Sequence, residues 1–138
     1  GGASSGGITG AEFRQDGTPA GWFMTPTANP AANLTIGNPI GGGCNIAFPS
    51  CQTGTSGPVV LYTIRFVAAS LVTQRVLTVL GHTAPSIPWL PCPRLVLCDV
   101  PADAFVCSQG GSATIHYDGY CTTAVEPRSW SVVRRLYR

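Results

Sequence analysis

The chain has 138 residues, which suits one domain with a core of its own. Its hydrophobic fraction of 44% excludes a disordered chain, and its charged fraction of 10% lies far below the roughly 25% of typical soluble domains. The net charge of +2 is too small to predict nucleic-acid binding. No apolar run is long enough to predict a transmembrane helix.

The chain opens with "GGASSGGITG", which predicts a flexible segment over residues 1–10. Short apolar runs between Gly, Pro, Asn and Asp then predict strands. In chain order these are "TGAEFRQDG", "AGWFMTP", "NLTIGNP", "GPVVLYTIRFVAAS", "QRVLTVLGH", "RLVLCDV" and "SATIHYDG". Their spacing of about 8–12 residues predicts an all-β antiparallel sandwich or barrel over residues 11–125.

Alternation along these strands assigns their faces. In the first strand Ala11 and Phe13 share a face, and the strand ends in a turn at Asp16 and Gly17. In the strongest strand the sequence predicts one face for Val60, Tyr62, Ile64 and Phe66. The prolines of "TPTANPAAN" exclude a central strand there.

The last segment, residues 126–138, has a helical pattern instead. Ser129 is a suitable N-cap, and apolar residues follow at helical spacing. We expect a short amphipathic helix that docks Trp130 onto the sandwich. The alternative is a contact surface for a neighbour or an anionic cell surface, formed by Trp130, Arg134, Arg135, Tyr137 and Arg138.

Six cysteines indicate three disulfides and an oxidising, extracellular compartment; they are Cys44, Cys51, Cys92, Cys98, Cys107 and Cys121. None of their spacings matches a structural zinc site or a redox C-x-x-C motif. Cys44–Cys51 is the predicted first pair, closing a stapled loop around Ile46, Ala47 and Phe48 that caps the core. The other four leave two choices open, Cys92–Cys98 with Cys107–Cys121 or Cys98–Cys107 with Cys92–Cys121.

The sequence shows no catalytic motif, and we expect no enzymatic activity and no cofactor. His82 and His116 both lie at predicted strand ends, where histidine is mostly structural. Asp99 and Asp103 are weak calcium candidates, for which a simple turn is the favoured interpretation. Asn33 in "NLT" matches the N-glycosylation pattern, and Trp22 and Trp89 are candidates for stacking on a sugar.

Taken together, "GGITGAEFRQDGTPAGWF", "NPAANLTIGNP", "GCNIAFPSCQ", "PCPRLVLCD", "VCSQGGSATI" and "SWSVVRRLYR" cover nearly the whole chain. As a set they resemble a group of secreted bacterial cysteine-rich proteins that have no assigned activity. The resemblance implies a β-sandwich of the cohesin-like or immunoglobulin-like type, which says little about function. Relatives of this kind carry a further apolar segment before "GGITG", so we expect an open sheet edge here.

These features lead to two expectations about function. The first is a structural subunit of an extracellular fibre or surface layer, a homo-oligomer or polymer joined by strand addition at a sheet edge. Its strand donor is expected to be the N-terminal segment or the region around "ITGAEF". The second is a secreted cohesin-like module that binds a carbohydrate or a protein partner.

Overall fold

The computed structural model describes residues 6–70, 72, 74–98 and 102–116. Within these ranges it is all-β, with nine strands and no helix. The strands are β1 (Gly7–Asp16), β2 (Phe23–Ala28), β3 (Leu34–Asn38), β4 (Gly43–Thr53), β5 (Tyr62–Val67), β6 (Gln74–Leu80), β7 (Arg94–Leu97), β8 (Phe105–Cys107) and β9 (Ser112–His116). No helix in the described part of the chain has the length and apolar character needed to cross a bilayer.

Strand β1 is the hub of a seven-stranded sheet in which the described pairs are antiparallel. On one side it pairs with β4, which in turn pairs with β3. On its other side β1 divides its pairing. Residues Ile8–Glu12 pair with β7, which continues to β8, and Arg14–Asp16 pair with β6, which continues to β9. Five strands therefore lie side by side in the order β3-β4-β1-β7-β8, and β6 and β9 branch from the far end of β1.

A separate two-stranded antiparallel sheet, β2–β5, packs over one face of these five strands. The buried centre of this contact is formed by Ala11, Ile46 and Phe48, and Tyr62 of β5 packs against it. The rings of Phe13 and Tyr62 meet edge-to-face with centroids 6.0 Å apart. The predicted alternation is confirmed for Tyr62, Ile64 and Phe66, which are half-buried while the residues between them are exposed. It does not extend to Val60, which precedes β5 and is 53% exposed.

The seven predicted strands are present, and the structure adds two that were not predicted, β4 and β8. The stretch around Cys44 and Cys51 is not a stapled loop; it is β4, whose eleven residues make it the longest strand described. Pro49 obscured this assignment. It lies at an irregularity where Thr9 of β1 faces residues 48–51 of β4, and a residue without an N–H is tolerated there.

The predicted Cys44–Cys51 disulfide is wrong, because both residues lie on β4. Seven residues of extended chain separate their Cα atoms by roughly 23 Å, and a disulfide needs about 4.4–6.8 Å. Instead Cys51 bonds to Cys98 and Cys92 bonds to Cys107, each pair with Cα atoms 5.6 Å apart. Neither connectivity proposed for the other four cysteines is correct, whereas the prediction of disulfides itself is confirmed by these two bonds.

The start of the first strand differs from the prediction, and the predicted C-terminal helix cannot be compared with the structure. Strand β1 begins at Gly7, inside the predicted flexible segment, because its backbone there pairs with β4 and β7. The region "ITGAEF" is therefore an internal strand paired on both sides, and not a free strand donor. The predicted helix over residues 126–138 and Cys121 lie outside the described residues.

Candidate functional site: a groove on the outer face of the sheet

The five-stranded sheet has a second face, opposite the one that β2 and β5 cover. Cross-strand register places two rows of side chains on this outer face. The first row runs from Leu34 through Ala47, Gly10 and Val96 to Phe105. The second runs from Ile36 through Asn45, Glu12 and Arg94 to Cys107.

A groove of about 430 Å³ follows the first row. The small residues Gly10 and Ala47 form the floor at the centre of the groove. The larger Leu34 on β3 and Phe105 on β8 form its rims. Leu34 and Phe105 are each 51% exposed. Apolar side chains at the rims of a concave surface are typical of a binding groove.

One long side of the groove is polar, where the second row flanks the first. Glu12 and Arg94 are register partners on β1 and β7, and both are buried, with exposed fractions of 5% and 1%. Glu12 Oε1 forms an ion pair with Arg94 Nη2. The pairing offsets the desolvation cost that either charge would carry alone.

A loop between β6 and β7 covers this ion pair. The Ser86 backbone N–H donates to Glu12 Oε2 at 3.1 Å, the Ser86 hydroxyl donates to the same oxygen, and Arg94 Nη1 donates to the Ile87 carbonyl at 3.5 Å. Burial lowers the pKa of Arg94, but a guanidinium stays protonated in proteins. The Nε–H of Arg94 has no hydrogen-bond partner among the described residues. This side of the groove therefore has balanced charge, and the Nε of Arg94 is closed to solvent.

A second buried polar group lies on the inner face. Cys44 is fully buried and unpaired among the described cysteines, and its thiol interacts with the Tyr62 hydroxyl. Burial raises the pKa of Cys44 to about 11, and hydrogen bonding from Tyr62 opposes that rise. Such a thiol is inert at neutral pH, since the thiolate is the reactive form.

The structure gives His82 a packing position. The ring lies against Gly43, whose φ of 127° favours glycine and whose missing Cβ leaves room for the imidazole. His82 Nδ1 accepts a hydrogen bond from the Ala84 backbone N–H at 3.0 Å. His116 ends β9 and is the register partner of Gln74, at the opposite end of β6 from His82.

The acidic candidates form no metal site in the part of the chain that is described, where no group of three or more His, Cys, Asp or Glu side chains meets. Asp103 is exposed, and its φ of 58° places it in the turn between β7 and β8. Its backbone N–H donates to the Leu97 carbonyl at 2.9 Å. Asp99 lies outside the described residues. The Asp16–Gly17 turn is confirmed, with the Gly17 N–H donating to Asp16 Oδ1 at 2.9 Å.

The predicted glycosylation and sugar-stacking residues differ in their exposure to solvent. Asn33 is exposed at the start of β3, where a glycan would have access. Trp22 is half-buried, packs edge-to-face on Phe66, and donates from Nε1 to the Ser70 carbonyl at 3.1 Å. Trp89, by contrast, is 80% exposed. The predicted contact surface, Trp130, Arg134, Arg135, Tyr137 and Arg138, lies outside the described residues.

Sequence reasoning missed the groove and its ion pair. Alternation along β1 does place Glu12 opposite to Ala11 and Phe13, but nothing in the sequence pairs it with Arg94, 82 positions away. A comparison with protein-family models, curated proteins and solved structures finds no significant match to this chain. The geometry itself is therefore the basis for any functional assignment.

Proposed function

We propose that this chain is a non-enzymatic extracellular structural protein, the subunit of a fibre or surface layer that assembles by strand addition at a sheet edge. In this proposal the two packed layers are an immunoglobulin-like or cohesin-like β-sandwich. The two disulfides are compatible with an extracellular location, because such bonds persist in oxidising compartments.

The observation that carries the proposal is the edge strand β3. Its one strand partner among the described residues is β4, and all five of its residues are exposed. Leu34 and Ile36 point to the same face, and Ile36 is 58% exposed. The sequence "LTIGN" carries no charge and no proline, the two features with which edge strands commonly block further pairing.

Strand addition at β3 would satisfy its outward backbone groups and cover its apolar side chains at once. A neighbouring strand laid beside β3 gains main-chain hydrogen bonds, and its alternate side chains meet Leu34 and Ile36. A closed two-fold pairing of β3 with itself gives a dimer, whereas pairing with a different segment gives an open polymer. The low charge of the chain reduces the repulsion that would oppose either assembly.

Replacing Ile36 by Lys tests this proposal, because a charge on the edge strand opposes strand addition. Val60, which is 53% exposed and lies outside the strands, supplies the matched control as Val60→Lys. We expect filaments or discrete oligomers from the unmodified chain and from Val60→Lys, and monomers from Ile36→Lys. Negative-stain microscopy and sedimentation velocity give the readout, and a monodisperse monomer of the unmodified chain at high concentration would refute the proposal.

A second candidate function, a binding module for a carbohydrate or protein partner, is favoured by Trp89. An indole ring with this much exposure in the loop before β7 offers a flat apolar surface on which a sugar ring can stack. Glycan-array binding that is lost in Trp89→Ala would support this function. Phe23→Ala is the control, since Phe23 is 71% exposed on β2.

A further inference from the structure

We propose that Glu12 and Arg94 are positioning residues for Trp89: their buried ion pair fixes the loop between β6 and β7 and holds the indole out in solvent in one place. The loop comprises residues 81–93. A contact residue that is already held in place loses less conformational entropy when a ligand binds. That gain rests on the second candidate function above, whereas the positioning itself needs no ligand.

The chain around Trp89 is stiff because of its prolines. A β-turn runs from Ile87 to Leu90, and the Leu90 N–H donates to the Ile87 carbonyl at 3.0 Å. Pro88 occupies the second position of this turn, where its fixed φ fits, and Pro91 follows the turn. A proline also restricts the residue before it, so Ile87 and Leu90 have little freedom either. Trp89 therefore lies on a short rigid segment, whose direction depends on what holds its two ends.

The end of this segment after Trp89 is held by a covalent bond, since Cys92 is bonded to Cys107 in β8. Before Trp89, the start of the loop is tied at Thr83, whose backbone N–H donates to the Gly42 carbonyl at 2.8 Å. These two ties are nine positions apart along the chain. A further contact is needed between them to fix the direction of the turn.

Glu12 supplies that contact from β1, the central strand of the sheet. The Ser86 backbone N–H donates to both carboxylate oxygens, at 3.3 Å and 3.1 Å, and the Ser86 hydroxyl donates to one of them. Arg94 adds the contact from Nη1 to the Ile87 carbonyl. Among the described residues between 83 and 92, these are the hydrogen bonds that join the loop to the sheet.

The hold on the loop is also the property that an apolar pair could not supply. A buried ion pair is seldom a net source of stability, and well-packed apolar side chains of similar volume often serve as well. Apolar side chains cannot accept hydrogen bonds from Ser86 or donate to the Ile87 carbonyl. The specific contribution of Glu12 and Arg94 is therefore the position of the loop.

The double variant Glu12→Leu with Arg94→Met tests this, because it removes the hold without leaving an unpaired charge. Incorporation of 5-fluorotryptophan gives ¹⁹F NMR signals, which Trp22→Phe and Trp89→Phe assign. All samples carry Ile36→Lys, so that assembly at β3 does not broaden the signals. We expect the transverse relaxation rate of Trp89 to fall at least twofold in the double variant, and that of Trp22 to stay unchanged.

Two further variants separate the hydrogen bonds from the change in packing. Asn45→Leu is the matched control, because Asn45 is the half-buried register partner of Glu12 on β4, and Trp89 should relax there as in the unmodified chain. Glu12→Gln with Arg94→Met restores an uncharged acceptor for the Ser86 N–H, and should recover at least half of the lost rate. A folded first double variant in which Trp89 relaxes as in the unmodified chain would overturn the proposal, and so would the absence of recovery with glutamine.

Ser86→Ala gives a test that keeps both charges paired and removes only the hydroxyl contact to Glu12. We expect a smaller fall in the Trp89 relaxation rate, and an unchanged rate would count against the proposal even if a double variant failed to fold. The positioning and the second candidate function fail separately. A chain that holds Trp89 in place yet binds no glycan on an array would refute only the binding function.

Discussion

At the scale of single residues, the Glu12–Arg94 pair is the most consequential feature that the sequence concealed. The two charges are buried side by side on adjacent strands, and Ser86 supplies additional hydrogen bonds to the carboxylate. Their net contribution to folding is small, because desolvation consumes most of the attraction. Their mutual dependence is large, since either charge left alone is buried without compensation.

We therefore expect Arg94→Met to lower the free energy of unfolding by about 3–5 kcal/mol. The double variant Glu12→Leu with Arg94→Met should recover most of that loss, because it leaves no unpaired charge. Urea unfolding of the singles and the double measures the coupling. Additive losses in the double variant would mean that the two charges do not stabilise one another.

Cys44 gives a residue-scale prediction of pH dependence. Its pKa in the folded chain is raised, chiefly by burial, to about 11 from an ordinary value of 9.0. The unfolded chain ionises this thiol first, so its stabilising contribution is complete below pH 9 and is lost as the pH rises towards 11. The loss is at most about 2–3 kcal/mol. The chain has no lysine, but the ordinary pKa of its four tyrosines, about 10, falls in this window, so a matched control is needed.

The experiment uses a Cys121→Ser background, in which Cys44 is the remaining unpaired thiol. Free energies of unfolding from pH 8 to pH 11 should fall more steeply than in the same background with Cys44→Ala. Part of the slope will persist in the alanine variant, because burial, the largest cause of the raised pKa of Tyr62, remains when the thiol is removed. Identical slopes with and without the thiol would show that Cys44 is solvated or bonded.

At the scale of elements, the local sequence pattern predicts a strand correctly where one face of that strand is buried and the other is exposed. The alternation of β5 and the turn after Asp16 follow from the residues alone. Strand β4 breaks the simple pattern, because it carries a proline, a bulge and two cysteines within eleven residues. The cysteines suggested a short staple, and that suggestion outweighed the apolar Ile46 and Phe48 that mark a central strand.

Pairing between strands could not be predicted, because it depends on register between segments far apart in the chain. The rows on the outer face combine residues from β3, β4, β1, β7 and β8. A shift of one residue in any of these pairings would exchange the groove lining for the core. The candidate site therefore depends on the order and register of the strands, and no local sequence motif predicts it.

At the scale of the whole molecule, the two disulfides join strands of the seven-stranded sheet to one another. Cys51–Cys98 joins the end of β4 to the end of β7, and its sulfur lies against Gly7 of β1, where a Cβ would overlap Cys51. The Gln52 backbone carbonyl is closer still to the position of that Cβ, so glycine at position 7 is required by strand β4 together with the bridge. Cys92–Cys107 joins the residues before β7 to β8, which carries the Phe105 rim of the groove.

These connections predict an identifiable set of linked peptides. Cleavage after arginine and before aspartate separates Cys98 from Cys107, because Asp99 and Asp103 lie between them. Under non-reducing conditions, mass spectrometry should find residues 95–98 linked to residues 16–65 and residues 76–94 linked to residues 103–117. Fragmentation of the first pair should place the link at Cys51 and leave Cys44 outside it; a link through Cys44 would refute the register of β4.

The same bonds should differ in their effect on stability. They span 47 and 15 residues, and loop-closure entropy assigns about 4 kcal/mol to Cys51–Cys98 and about 3 kcal/mol to Cys92–Cys107. We expect Cys51→Ala with Cys98→Ala to lower the free energy of unfolding more than Cys92→Ala with Cys107→Ala. Loss of the second bond should instead loosen β8 more than loss of the first, because Cys107 is in β8. Urea unfolding together with hydrogen exchange of the β8 amides measures both effects, and the reverse order in both would contradict this arrangement of the sheet.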